Sequence, residues 1–554
     1  MGPVSRTAGT AGRHLAALLV VLASLPGAGA SQASPYVPTS DPAYRDLDAL
    51  VASGLVRGII LGQRPYSRMA FARLAAEARE GLNARPGPVK ARFAEALERL
   101  EARFAGERES LCAAGPDACP RAGAYAALRE VRGDAAWAAS PVRPIRTQLR
   151  SGIDADINPL LQRNQGRVLA DGWTGGGEGW LDAGWGSRLA AQVQPRLWVA
   201  DARDRGPQAE LTLVRGYVRA LLGNLSVDVG RNLVAHGHAR EAGPVLSSNA
   251  RGLDMIRLSM ERAGHLPWIF RGLGPVGFSA AVADMGQDQD TPGSKLVVFE
   301  GAMRPHRNLE LGVTLMNHQG GGVGPDVGLG ERILDAFFLV KRRPFYFLPS
   351  SSVRSDKVLA FDARLTVPSR GFEAYLEMMT TDDHDLFWAA RQALWNDAAW
   401  TGGVRALGLG GKGRVDAWLE VSRVGLLPYT HHQFTSGLAV DRRVLGSPLG
   451  PLGTGLLGGV DWTGPGHVLA LAGAWERYAG DTYRNPDDGL SRRYRSADNP
   501  DEIRVRGTLD WTRYPDGAGV RTAVRLGWER VTRFDFTAGS RSNLLAQVTV
   551  GYAW

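Results

Sequence analysis

Long apolar runs are scarce in this chain of 554 residues. A helix needs about 20 apolar residues to cross a bilayer, and the longest run, residues 15–25, is too short. It follows the basic Arg6 and Arg13 and precedes a small-residue stretch, Ala28-Gly29-Ala30. This order predicts a secretory signal peptide over residues 1–30, and therefore an exported protein.

Cysteine is almost absent, since Cys112 and Cys119 are the only two. In an oxidising compartment they are predicted to form one local disulfide across a short Gly-Pro-Asp loop. A metal site would need further ligands nearby, which the sequence does not supply. Neither a metal nor a cofactor is therefore expected.

Blocks of lysine or arginine and familiar catalytic motifs are missing as well. The net charge of +9 is spread along the chain, so an exported protein with this pattern has no expected nucleic-acid partner. There is no Gly-x-Ser-x-Gly elbow, no His-Glu-x-x-His zinc motif and no phosphate-binding Gly-rich loop. The chain is predicted not to be an enzyme.

Two periodicities divide the mature chain. Residues 31–140 are predicted to form a small periplasmic helical domain, with one helix starting at Asp41-Pro42 and a second at Ser67. Residues 141–554 alternate with period two, as in 520–529, where apolar and charged positions take turns. The fold class is therefore mainly β, with helices confined to the N-terminal part.

A soluble sandwich also alternates, and three features favour a transmembrane β-barrel instead. Many strands are about 10 residues long, aromatic residues lie near strand ends, and short turns alternate with long polar loops. We count eighteen antiparallel strands, an even number as single-chain bacterial barrels require. Their expected starts lie near residues 145, 178, 187, 209, 224, 253, 276, 295, 308, 358, 371, 401, 413, 456, 467, 503, 520 and 543.

Strand parity predicts the orientation in the outer membrane. If the helical domain and the C-terminus are both periplasmic, tight turns such as Pro305-His306-Arg307 face the periplasm. The long loops then all face outward, and they comprise residues 232–252, 319–357, 382–400, 422–455 and 478–502. The last strand ends on the terminal aromatic Trp554, which resembles the C-terminal signal that the barrel-assembly machinery recognises.

Several polar groups are candidates for chemistry, each with a plainer alternative. Residues 382–385, Asp-Asp-His-Asp, could hold a divalent cation or form a solvated acidic loop. His236 and His238, with the serines at 247–248, could suggest a barrel hydrolase or be ordinary loop residues. Aromatics at 387–400 could stack on sugar rings or simply pack the loop onto the barrel.

Ionisable side chains are also expected inside the barrel. Neighbouring residues of opposite sign would form a lumenal lattice of salt bridges, and a conducting pore is the alternative. The residues concerned are Arg188, Arg196, Arg257, Asp362, Arg364, Glu373, Glu377, Arg414, Asp416, Glu420, Arg504, Arg506, Asp510, Arg521, Arg525 and Glu529.

Four segments together resemble one known family. The first is Tyr36-Val37-Pro38 with Asp41-Pro42-Ala43-Tyr44-Arg45, followed by Gly54-Leu55 and Arg64-Pro65-Tyr66-Ser67-Arg68. The others are Gly230-Arg231-Asn232 leading to Leu246-Ser247-Ser248-Asn249-Ala250-Arg251, Leu309-Glu310-Leu311-Gly312-Val313, and Phe361-Asp362-Ala363-Arg364 with Glu373-Ala374-Tyr375. These segments are similar to those of the Wzi-like capsule assembly proteins of Gram-negative outer membranes. One departure is His236-Gly237-His238-Ala239-Arg240, where the family tends to have Trp-Gly-Pro-Gly.

The resemblance implies a monomeric, lectin-like outer-membrane barrel that retains capsular or extracellular polysaccharide at the cell surface. Its other partners would be outer-membrane lipids, lipopolysaccharide and the barrel-assembly machinery. A porin or polysaccharide export channel is the alternative function. The glycan-binding candidates are Arg231, Asn232, Ser247, Asn249, Arg251, Asp383, Trp388, Trp395 and Trp400. The first five of them would order one loop that folds inward and helps close the lumen, and Arg251 could instead contact an acidic sugar directly.

Overall fold

The computed structural model describes most of the mature chain. It covers residues 32–84, 90–111, 123–139, 143–144, 153, 155–157, 160, 163–167, 169–202, 206–336, 353–381, 398–425, 427–478, 482–484, 492–494, 501–515, 518–534 and 537–554. The predicted signal peptide and the Cys112–Cys119 pair lie outside these residues.

Within the described part of the chain, eighteen antiparallel strands close into one barrel. Each strand pairs with its neighbours in sequence, and the last pairs with the first. The strands are β1 Tyr125–Ala138, β2 Gly172–Trp185, β3 Leu189–Ala202, β4 Gly206–Leu222, β5 Leu225–Asn232, β6 Leu253–Met260, β7 Pro275–Asp284, β8 Ser294–His306, β9 Leu309–Gly320, β10 Ser355–Val367, β11 Phe372–Thr381, β12 Ala399–Leu409, β13 Val415–Val424, β14 Gly453–Gly464, β15 His467–Tyr478, β16 Glu502–Arg513, β17 Gly519–Thr532 and β18 Ser540–Ala553.

The predicted strand count is confirmed, and the starts of β3 to β18 lie within three residues of those expected. The expected first strand near residue 145 is wrong. β1 begins at Tyr125, inside the segment assigned to helices, so the domain boundary expected at 140 falls after the first strand. Strand β1 is rich in alanine, which is typical of helices. A bulge between Leu128 and Glu130 also interrupts its alternation of apolar and polar residues.

The two faces of the barrel wall differ as the alternation predicts. On β17, Leu526 and Trp528 point outward and are exposed, whereas Glu529 is buried on the lumenal side. Inward arginines such as Arg504 are equally buried. An apolar outer surface around a polar interior is what a lipid bilayer demands of a closed sheet.

Four short helices form the N-terminal domain: α1 Ala43–Ala52, α2 Arg68–Asn83, α3 Ala91–Arg103 and α4 Ala105–Glu109. The Ser67 side chain caps α2 by accepting from Ala70 N at 3.0 Å, as predicted. Phe71 and Phe104 stack in the domain core with ring centroids 5.0 Å apart. No helix in the described ranges is both long enough and apolar enough to cross a membrane.

The barrel has two unlike ends. Its short-turn end is marked by two- to five-residue turns such as 410–414, and the helical domain sits there. Arg414 donates to both Glu95 carboxylate oxygens at 3.0 and 2.6 Å, and Arg304 donates to Ile59 O at 3.2 Å. The opposite, long-loop end carries the connections 233–252 and 425–452.

The remaining regular elements are small. They are a 3₁₀ helix Trp268–Leu273, helix α5 Leu329–Ala336, the strand Gly264–His265 beside β7, and strand pairs that join Gln63–Arg64 to Ala235–His236, Arg143–Pro144 to Asp156–Ile157, Ala439–Val440 to Arg443–Val444, and Thr482–Arg484 to Arg492–Tyr494. The pair between Gln63–Arg64 and Ala235–His236 is the first of the separate pairs. The first of these pairs links the N-terminal domain to the loop between β5 and β6.

Candidate functional site

Two segments from opposite ends of the barrel meet inside the lumen. The lumenal loop, residues 233–252, folds inward between β5 and β6, and the N-terminal segment enters from the short-turn end. Gln63 pairs with His236 in an antiparallel bridge, and Gly237 N donates to Gly62 O at 2.9 Å. The barrel is therefore filled by its own chain at this level.

Carboxylates of the barrel wall hold the lumenal loop by its backbone. Glu420 Oε2 on β13 accepts from Glu241 N at 3.0 Å and from Ala242 N at 3.2 Å, and Glu377 on β11 accepts from two further loop amides. Arg240 donates to both carboxylate oxygens of Asp461 at 2.7 and 3.1 Å. Charge-assisted bonds of this kind fix the loop against the wall.

A glycine is required at one point of this loop. Gly237 has a φ of +94°, and a Cβ there would lie 2.5 Å from the Glu377 carboxylate. Any larger residue would suffer backbone strain and a clash at once. Glycine at this position lets the loop backbone approach the wall carboxylate closely.

Several predicted binding residues hold loops together. Ser247 Oγ donates to Gly446 O at 2.6 Å, and Asn249 Nδ2 donates to Val444 O at 2.9 Å. Both side chains are buried, as is Asn232, which accepts from Leu233 N at 2.8 Å. These three candidates order the long-loop end and do not present their side chains to solvent.

The two predicted arginines lie on an accessible surface. Arg231 donates to both Asp254 oxygens at 2.8 and 2.6 Å, and Arg251 pairs with Asp441 from the loop after β13. Beside them Lys295 pairs with Asp284. These residues are partly exposed, and we call them the charged rim: Arg231, Arg251, Asp254, Asp284, Lys295 and Asp441. Sequence reasoning missed four of its members, although charged residues at the loop ends of β6 to β8 were a usable signal.

Other candidates cannot be placed in the same way. Asp383, Trp388 and Trp395 lie outside the described residues, together with the acidic stretch 382–385. Trp400 is on β12, half-buried, opposite Arg423 of β13. Among the described residues, no group of three or more His, Cys, Asp or Glu side chains could hold a metal ion.

The predicted lumenal lattice of salt bridges is confirmed at several of its residues. Arg525 donates to Asp510 at 2.5 and 3.1 Å, Arg364 pairs with Glu373, and Arg504 Nε lies 2.5 Å from Glu529 Oε1. A polar cavity of about 540 Å³ remains between the wall, the lumenal loop and the N-terminal domain.

The lumenal histidines differ in their environments. Burial, aided by the charge of Arg257, lowers the pKa of His236 to about 3, although Glu300 Oε2 lies 3.0 Å from its Nε2. Burial also opposes a charge on His238, but Asp362, 3.0 Å from its Nε2, and Glu310 raise its pKa above the usual value. Since Ser247 Oγ is bound to backbone groups, these contacts form no serine–histidine pair.

A closed sheet with an apolar outer surface and a filled polar lumen defines a transmembrane β-barrel protein of the outer membrane. The chain belongs to the family of the capsule assembly protein Wzi, whose model matches residues 147–482. It is thus an outer-membrane protein of a capsule assembly family.

Solved structures with similar folds include Wzi of Escherichia coli, described as an outer-membrane protein involved in group 1 capsule assembly and as a carbohydrate-binding β-barrel. It is 16% identical, with a TM-score of 0.65 over 94% of this chain and 100% of that chain. OccD3 (OpdP) of Pseudomonas aeruginosa is 12% identical, with a TM-score of 0.45 over 80% and 98%. OprD of the same species is 11% identical, with a TM-score of 0.42 over 78% and 97%. A search of curated proteins found no match.

Proposed function

We propose that this protein binds capsular or extracellular polysaccharide and retains it at the cell surface as a lectin-like barrel. The charged rim carries the proposal, because it places guanidinium, ammonium and carboxylate groups together on one rigid surface at the long-loop end. Family membership and the carbohydrate binding described for the Escherichia coli protein support it.

In this proposal the long-loop end faces outward and the helical domain lies in the periplasm. The rim is preorganised, because Arg251, at the end of the lumenal loop, pairs with Asp441, which lies 190 residues later in the chain. Fixed guanidinium groups can donate to sugar hydroxyls or to an acidic sugar without first being ordered. Trp388, Trp395 and Trp400 would add stacking on the apolar faces of sugar rings.

The remaining partners follow from the same arrangement. The apolar outer surface would contact outer-membrane lipids and lipopolysaccharide, and the last strand would present Trp554 to the barrel-assembly machinery. We propose a monomer without cofactor that catalyses no reaction. The lumenal loop opposes the alternative of an open channel, because it occupies the space that a solute would need.

Binding of the purified protein to the host's own surface polysaccharide, compared with unrelated polysaccharides, tests the proposal. An Arg231→Ala/Lys295→Ala variant should lose about tenfold in affinity, since hydrogen bonds to charged groups contribute roughly 1.5 kcal/mol or more. The matched control Arg307→Ala/Lys412→Ala changes two cations at the short-turn end and should bind normally. Equal affinity of the native chain for all polysaccharides would refute the proposal.

The loop at 382–400 has its own test. A Trp388→Ala/Trp395→Ala variant should still assemble in the outer membrane but retain less surface polysaccharide. Normal retention by this variant would remove the loop from the site and leave the charged rim as the binding surface.

A further inference from the structure

One connection at the short-turn end is unlike its neighbours. The turns there have two to five residues, but β6 and β7 are joined by the fourteen residues 261–274. The connection contains three consecutive large apolar side chains that point into solvent: Trp268 is 89% exposed, Ile269 83% and Phe270 52%. Soluble proteins rarely leave such a cluster uncovered.

The backbone strengthens the case that this exposure is built in. Trp268 has a φ of +64°, a left-handed conformation that is uncommon for a bulky residue. None of the six residues of the 3₁₀ helix Trp268–Leu273 is buried. The segment therefore combines local strain at Trp268 with large apolar side chains that pack little against the described protein.

The segment is continuous with the lipid-facing surface of the barrel. Gly264 pairs with Val276, so the connection leaves the wall beside the outward side of β7. The next residue, Gly277, faces inward, since a Cβ there would meet the Gln63 side chain of the N-terminal segment. Val276 therefore faces lipid. Its partner Gly264 lies four residues before Trp268, the first of the three exposed apolar residues.

The triplet also fills a gap in the aromatic girdle. At the short-turn end, Trp185, Trp462, Trp511 and Trp554 point outward from their strands and are exposed. The strands β4 to β11 contain no tryptophan. On that side of the barrel, therefore, no strand supplies an indole ring at either membrane interface. Indole rings favour the interface between acyl chains and headgroups.

We propose that Trp268, Ile269 and Phe270 form an interfacial anchor that inserts into the phospholipid leaflet at the short-turn end. The apolar side chains enter the acyl region, and the exposed Arg271 stays among the headgroup phosphates. With the orientation proposed above, this is the inner leaflet of the outer membrane. The anchor itself does not depend on polysaccharide binding, so an experiment can refute either proposal without refuting the other.

A spin label measures the depth of the segment directly. The label is placed by Trp268→Cys in the full chain, with Cys112 and Cys119 changed to serine, and the protein is reconstituted in vesicles of phosphatidylethanolamine and phosphatidylglycerol. Collision of the label with oxygen is compared with collision with a water-soluble nickel chelate. Val282→Cys, on the lipid-facing side of β7, and Arg307→Cys, on a neighbouring turn, are the matched controls.

The anchor predicts that the oxygen-to-nickel collision ratio of a label at position 268 is several-fold higher than at position 307. It should be similar to the ratio at position 282. A ratio at 268 equal to that at 307 would overturn it and leave the segment free for a soluble partner. If the cysteine variant fails to fold, brominated phospholipids provide a second measurement. They should quench the tryptophan fluorescence of the native chain more strongly than that of the Trp268→Phe variant. Equal quenching of the two would likewise overturn the anchor.

Discussion

Removal of one buried arginine gives the sharpest test of the lumenal lattice. Arg504 on β16 is only 1% exposed. Its Nε lies 2.5 Å from Glu529, its Nη2 lies 3.6 Å from Glu502 and its Nη1 lies 3.9 Å from Glu476. An Arg504→Met variant keeps much of the side-chain volume but removes a positive charge that lies close to all three carboxylates.

The expected cost follows from burial. Breaking a buried ion pair by removing one partner costs roughly 3–5 kcal/mol, because an uncompensated charge stays in a medium of low polarity. The contact with Glu529 is the shortest of the three, and Glu476 also pairs with Arg506 at 2.9 Å, so we expect a loss within that range. The control is Arg525→Met, whose pair with Asp510 has side chains 31% and 29% exposed and should contribute at most about 1 kcal/mol.

Urea unfolding of the barrel from phospholipid vesicles, followed by tryptophan fluorescence, measures both variants. The free energy of unfolding should fall several times further for Arg504→Met than for Arg525→Met. If the two losses were equal, water in the lumen would be screening the buried cluster, and the reasoning from burial would be refuted. The mobility of unheated protein in SDS gels confirms that each variant still forms a barrel.

Three further predictions concern the lumen and the C-terminus. Gly237→Val should displace the lumenal loop from Glu377 and raise single-channel conductance above the closed native level, and an unchanged closed barrel would contradict the proposed closure. The unfolded chain protonates His236 near pH 6.5 while the folded chain does not, so stability is complete above 6.5 and falls by about 1.4 kcal/mol per pH unit below it. His236→Gln should therefore remove about 2 kcal/mol of the loss measured between pH 6.5 and 5 in urea unfolding, and an unchanged pH profile would contradict this. Trp554→Ala should lower the yield of assembled barrel in outer membranes several-fold, because it would remove the proposed recognition residue. It should not lower the stability of the barrel that does form by more than about 1 kcal/mol, because the side chain is exposed.

The sequence by itself determined the barrel. Successive residues of a strand point alternately to the lipid and to the polar lumen, so apolar and polar residues must alternate along it. The strand from Val520 to Glu529 can therefore be recognised from its own sequence, without knowledge of the strands that pair with it. The pattern located β3 to β18 closely. It failed for β1, because small alanine side chains carry little contrast between the two faces and the bulge shifts the alternation by one residue.

Only the tertiary structure decided what fills and what caps the barrel. The bridge between Gln63 and His236 and the ion pair between Arg251 and Asp441 join residues more than 170 positions apart. A local pattern cannot specify such contacts, since they depend on where two loops are brought by separate strands. The same reason applies to Ser247 and Asn249. The sequence predicts that they order an inward-folding loop, but it cannot specify their partners, which are backbone carbonyls of a distant loop.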